Sequence, residues 1–151
     1  MNFKFNIKAR LPCINEIISE NIIKYILLRN NLKCKNAKSG DLISDDNIIK
    51  YECKCFTTLG PISFGPTESW NKILFLDSRK WFDNIIICYY VDISSNDSEW
   101  LNIKVSKTET YQDQCKLKRR PRLSWNKLIN QIPKDKISIL YSGSVVELCQ
   151  S

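Results

Sequence analysis

The chain has 151 residues, 43% of them hydrophobic, which suits one compact core and leaves little room for a second. Lys and Arg total 23 against 16 Asp and Glu, a formal charge of +7, so a polyanion such as nucleic acid is favoured as partner over an acidic ligand. There is no His and no P-loop, which excludes His-dependent triads, HNH-type nuclease sites, His-ligated zinc and nucleotide-driven cleavage by this chain.

No run of about 18 apolar residues exists, and charges interrupt Met1 to Arg10, so a cytoplasmic chain with no membrane partner is expected. The cysteines, Cys13, Cys34, Cys53, Cys55, Cys88, Cys115 and Cys149, are odd in number and lack zinc-knuckle spacing, which reads as a reduced chain. No repeat or Gly/Ser linker divides the sequence, and one domain over residues 1–151 is expected.

In chain order, Ile14 to Leu28 carries apolar residues on more than one stripe with no Gly or Pro, predicting a largely buried first helix with Glu16 and Glu20 on one face. Lys38 to Ile43, the turn formers Ser44-Asp45-Asp46-Asn47, and Ile48 to Phe56 read as a β-hairpin. Further strands are expected at Lys72 to Leu76, Ile85 to Ile93 and Leu101 to Val105. Ser124 to Gln131 predicts a short helix with a Ser cap, closed by Pro133, and Ile137 to Tyr141 a last strand. The helix, strands, helix order suggests an α/β (α+β) architecture with a mixed central β-sheet.

The chemistry concentrates in the hairpin. Residues two apart share a strand face, so Glu52 and Lys54 point one way and Tyr51, Cys53 and Cys55 the other, where the cysteines read as core packing before metal ligation. Folding back at Ser44 to Asn47 brings Asp41 alongside Lys50 to Glu52, so two carboxylates converge beside one lysine. That arrangement suits a hard divalent cation, which keeps positions free for phosphate oxygens. Glu52-Cys53-Lys54 is the only acidic-x-Lys triplet in the chain. The plain alternative is an exposed strand with alternating charges.

Two other stretches invite a nucleic-acid reading. The loop Thr57 to Thr67, with Gly60-Pro61 and Gly65-Pro66 around Ser63 and Phe64, is apolar enough at its tip to approach a DNA groove, although Gly and Pro are ordinary turn formers. Lys116, Lys118, Arg119, Arg120 and Arg122 place five basic residues within seven positions, following Gln114. Phosphate contact is the expected role, and Arg also reads guanine bidentately; a solvated basic face is the alternative.

Asp41 followed by Glu52-Cys53-Lys54 resembles the PD-(D/E)XK nuclease signature, with Gly40 where the name has proline. Together with "ARLP", "ISEN", "KSGDL", "ECKCF", "GPISFGP" and "QCKLKRRPR", the chain is similar to a small single-domain type II restriction endonuclease over most of its length. The resemblance implies a restriction-endonuclease-like core with helices flanking the sheet, and Asp41 and Glu52 as metal ligands. It also implies the Cys53 carbonyl as a further ligand, Lys54 as the catalytic lysine, and a helix carboxylate, Glu20 in preference to Glu16. Mg²⁺ as cofactor, a homodimer on a short, roughly symmetric double-stranded DNA site, and a cognate methyltransferase encoded separately follow from the same likeness. The rival readings are a structure-specific or repair nuclease with the same metal chemistry, and a non-catalytic DNA-binding protein that would not need the three residues on one edge.

Overall fold

The computed structural model describes residues 16–38, 40–58 and 60–150. The "ARLP" stretch and the expected first residues of the opening helix, Ile14 and Asn15, lie outside the described residues. The described helix α1 (Glu16–Arg29) buries Ser19, Ile23, Ile26 and Leu27, one stripe at helical spacing. The expectation of a largely buried helix is corrected here: Ile17, Ile18, Tyr25 and Leu28 are exposed, so the additional apolar stripes face outward. Asn31, at φ 62°, ends the helix in the left-handed conformation.

Strands β1 (Cys34–Ala37), β2 (Gly40–Ser44), β3 (Lys50–Phe56), β5 (Lys72–Asp77), β6 (Ile85–Val91) and β8 (Ile137–Ser144) form a six-stranded sheet in the order β1-β2-β3-β5-β6-β8. All neighbours are antiparallel except β3 and β5, which run parallel. The sheet is mixed, as expected, and the five α-helices among the described residues complete an α+β core of the restriction-endonuclease-like kind. Strand β5 reads Lys-Ile-Leu-Phe-Leu-Asp and is buried from Ile73 onward, because both of its faces are covered.

Each face of the sheet has its own core. Against α1 pack Leu42, Tyr51, Leu74, Leu76, Ile86 and Cys88, with Leu148 of α5 (Val145–Gln150). The opposite face is aromatic, with Phe64, Trp70, Phe75, Trp100, Tyr111 and Trp125 in one cluster. Trp100 lies on α2 (Ser98–Leu101), Tyr111 opens α3 (Tyr111–Lys116), and Trp125 opens α4 (Trp125–Ile129) under the Ser124 cap. A small second sheet pairs β4 (Ile62–Ser63) with β7 (Arg122–Leu123).

The hairpin and the strands beginning at Lys72, Ile85 and Ile137 stand where the sequence puts them, the last running on to Ser144. Leu101 to Val105 is not a strand. Asp97 caps α2 by accepting the Glu99 N–H, which winds the chain there, and Lys104 makes only an isolated bridge to Thr110. The alternating apolar residues that suggested a strand instead serve the aromatic cluster, Ile103 within it and Leu101 and Val105 packed against it.

Candidate active site

Strands β2 and β3 meet in the register Leu42↔Tyr51 and Ile43↔Lys50. The turn between them is fixed locally: Asn47 takes φ 64°, the Asp46 carboxylate accepts the Ile48 N–H, and Ser44 Oγ accepts the Ile49 N–H. Because Leu42 and Tyr51 face α1, Asp41, Glu52 and Lys54 face the other side of the sheet. Asp41 stands close enough to Glu52 to help raise the Glu52 carboxyl, after burial, above its usual pKa. Cys53 and Cys55 pack with the α1-side core as their alternation requires, and burial holds the Cys53 thiol well above its usual pKa. Cys34, Cys53, Cys88, Cys115 and Cys149 carry free thiols, and Cys55 Sγ lies 3.3 Å from Ser78 Oγ.

The first turns of α1 arrive at the same edge. Carboxylate oxygens of Glu16, Glu20 and Asp41 lie within 4.8 Å of one another. Glu16, passed over in the sequence for Glu20, is therefore part of the same group. Burial, then the hydrogen bond to Asp41 and the negative charges of Asp41 and Glu16, push the Glu20 carboxyl up to about 7. Glu52 is 6% exposed, and burial, with hydrogen bonds to and repulsion from Asp41 and Glu68, pushes it up to about 10. Both shifts have one direction and one origin, negative charge crowded into a poorly hydrated edge.

Lys54 is anchored by a residue the sequence reading did not single out. Its Nζ lies 3.1 and 2.9 Å from the two carboxylate oxygens of Glu68, and 3.7 Å from Glu52 Oε2. Glu68, the nearer of the two carboxylates, is the principal counter-charge of the lysine. Glu68 also accepts the Gly65 N–H. Burial works against its charged form, but that N–H, the Glu52 carboxyl and the Lys54 ammonium together hold its pKa below the usual carboxylate value. A cleft of about 670 Å³ runs over this group, lined among others by Glu16, Asp41, Glu52, Lys54, Glu68 and Arg120.

The basic segment borders the cleft. After α3, Lys118 adopts φ 57° and the Arg119 N–H returns to the Gln114 carbonyl, so the chain reverses and β7 lies against β4. Arg120 reaches into the cleft lining and donates from Nε to Ser63 Oγ at 3.3 Å. Lys116, Lys118, Arg119 and Arg122 are exposed, with Arg119 3.6 Å from Glu109, and Gln114 is half-buried. Ser63 thus sits beside the basic segment. Phe64 does not reach outward: it is fully buried against Trp70, Phe75, Trp100 and Tyr111, which corrects the expectation that it approaches a DNA groove.

A family model described as Bsp6I restriction endonuclease matches residues 3–132, a span that takes in α1, the β2–β3 hairpin, the cleft and the basic segment. The chain belongs to the Bsp6I restriction endonuclease family. No curated protein and no solved structure matches it. As a restriction endonuclease it is a hydrolase acting on DNA, and among its described residues no helix is long and apolar enough to cross a membrane. The endonuclease has the donors for a divalent metal at Glu16, Glu20 and Asp41, all of them carboxylate oxygens and so matched to a hard cation. Their crowding fits such an ion: the Glu20 carboxyl, raised by burial and then by Asp41 and Glu16, is relieved by a positive charge between them.

The signal for Glu16 was present in the sequence, four residues before Glu20 on one helix face. Glu68 offered none by spacing, since 14 residues separate it from Lys54.

Proposed function

We propose that this endonuclease is a type II enzyme that hydrolyses phosphodiester bonds of double-stranded DNA at a short specific sequence, with Mg²⁺ as cofactor. The observation that carries the reading is the meeting of Asp41, Glu52 and Lys54 in one cleft that also contains Arg120. Glu20 or Glu16, with Asp41, Glu52 and the Cys53 carbonyl, would hold the ion. When bound, Mg²⁺ supplies electrophilic activation of the phosphate and makes water more acidic. Glu52 would hold the ion as its carboxylate, its proton passing to solvent. Lys54 presents its ammonium to the phosphate oxygens, where negative charge grows as the bond breaks, and orients the attacking water. Lys116, Lys118, Arg119, Arg120 and Arg122 grip the backbone, with Gln114 and Ser63 beside them, and an arginine of this set reads base edges.

Residues 1–151 act as a single nuclease domain. A twofold homodimer presents one such site to each strand, which is how so short a chain cuts both. Its cognate methyltransferase is a separate protein. Incubation with plasmid or phage DNA, with and without Mg²⁺, followed by sequencing of the fragment ends, tests the reading. Discrete ends sharing one short sequence are expected only with the metal. Cleavage confined to branched or damaged DNA points to a structure-specific nuclease instead, and binding without any cleavage to a non-catalytic DNA-binding protein.

A further inference from the structure

We propose that Glu68 is the positioning residue of Lys54, and that Gly65 is present as glycine to give Glu68 room to do so. The inference rests on the nuclease reading of the cleft and assigns two of its residues a part that the Asp41, Glu52 and Lys54 group does not include. The strand fixes only the root of Lys54; a long side chain on β3 has several rotatable bonds and sweeps a wide volume. Two contacts remove that freedom. Glu68 takes the ammonium between its two oxygens at 3.1 and 2.9 Å, and the shaft lies against the core so that Nζ is 5.1 Å from the Phe64 ring centroid.

Glu68 is held in turn by the Gly65 N–H. A Cβ at position 65 would stand 2.9 Å from Glu68 Cγ and 3.1 Å from its Oε1, closer than unstrained atoms approach. Gly65 is not among the positive-φ residues, so an alanine there incurs no left-handed strain, and the three nearest atoms it would meet all belong to Glu68. Phe64, one residue earlier, is buried and pins the whole turn. The chain Phe64, Gly65, Glu68, Lys54 is therefore a contiguous support for one ammonium group.

The test measures single-turnover cleavage of plasmid DNA in Mg²⁺ and DNA affinity by gel shift in Ca²⁺ for the full chain. Wild type, Glu68→Ala, Gly65→Ala and the double variant are compared, with thermal melts to establish that each is folded. Both single variants are expected to cut about tenfold to a hundredfold more slowly with affinity unchanged. The double variant should be no slower than Glu68→Ala, because Gly65 acts only through Glu68. Wild-type rates in Glu68→Ala, a fall in affinity that accounts for the lost rate, or losses that multiply in the double variant would each overturn the assignment while the nuclease reading stands. A wild-type protein that does not cut DNA overturns both.

Discussion

Replacing Glu20 with Gln should make the metal-free protein more stable, although it removes a metal ligand. Oxygens of Glu16, Glu20 and Asp41 stand within 4.8 Å of one another, so Glu20 faces two like charges. At that separation each pair repels by about 0.9 kcal/mol in bulk water and by about 3.5 kcal/mol at an effective dielectric of roughly 20. Glu20 is half-buried and Glu16 exposed, so solvent and salt screening leave about 1–2 kcal/mol for the two pairs together. For a chain of this length that is a rise in melting temperature of roughly 3–6 °C.

The sign with pH follows from the direction of the shift. The Glu20 carboxyl is raised from its ordinary 4.5 to about 7 in the folded protein, so the fold binds its proton more tightly than the unfolded chain does. The folded protein therefore loses stability as pH climbs from 4.5 through about 7, and keeps that deficit above it. Thermal melts by circular dichroism, in chelator and in Mg²⁺, at about pH 5 and about pH 9 check this. Glu20→Gln should match wild type in acid and exceed it in base without metal, while Mg²⁺ raises the wild type more than the variant. A variant less stable than wild type in base without metal, or one raised equally by Mg²⁺, would refute the reasoning.

Glu52→Gln should leave metal-free stability near wild type at neutral pH, because burial and the neighbouring Asp41 and Glu68 already favour an uncharged side chain there, yet slow cleavage by more than about a hundredfold. Gel shifts in Ca²⁺ and cleavage assays in Mg²⁺ separate the two effects. Arg120→Ala should lower the slope of log affinity against log salt by about one, as for the loss of a phosphate contact, with the measurement made by fluorescence anisotropy over a salt series. Phe64→Ala should cost about 3–5 kcal/mol in urea melts, the range for truncating a buried aromatic, and leave the salt slope of DNA binding unchanged.

The hairpin was legible because its signals are local. Period-two alternation runs from Tyr51 to Cys55, turn formers occupy 44–47, and one E-x-K triplet stands out among 16 acidic residues. The nuclease signature and the meeting of Asp41 with Glu52 followed from that short stretch, and the mixed sheet from the order of the strands and helices along the chain. Where the reading went astray, burial was decided by partners far away in sequence. The outer stripes of α1 carry Ile17, Ile18, Tyr25 and Leu28 as apolar as the inner one, so composition did not tell which side would be covered. Phe64 lies between Gly60-Pro61 and Gly65-Pro66, which suggested an exposed tip, but the rings that bury it stand at positions 70, 75, 100 and 111.

Glu68 was hidden for a topological reason, and the same reason accounts for the shape of the cleft. Strands β3 and β5 are parallel neighbours, with Glu52 opposite Ile73 and Lys54 opposite Phe75. A hairpin cannot join parallel strands, so the chain leaving β3 at Phe56 must travel back along the sheet before β5 begins at Lys72. That return path passes over the face bearing Glu52 and Lys54, since the opposite face is occupied by α1. Phe64 and Trp70 sink into the aromatic core on the way, the Phe64 N–H bonds to the Pro121 carbonyl, and β4 pairs with β7. One crossover thereby delivers Glu68 to Lys54 from above and draws Arg120 of the basic segment to the rim. An antiparallel β3–β5 pair joined by a tight turn would leave the same three hairpin residues on an open strand, with neither a carboxylate to fix the lysine nor a wall to receive a phosphate.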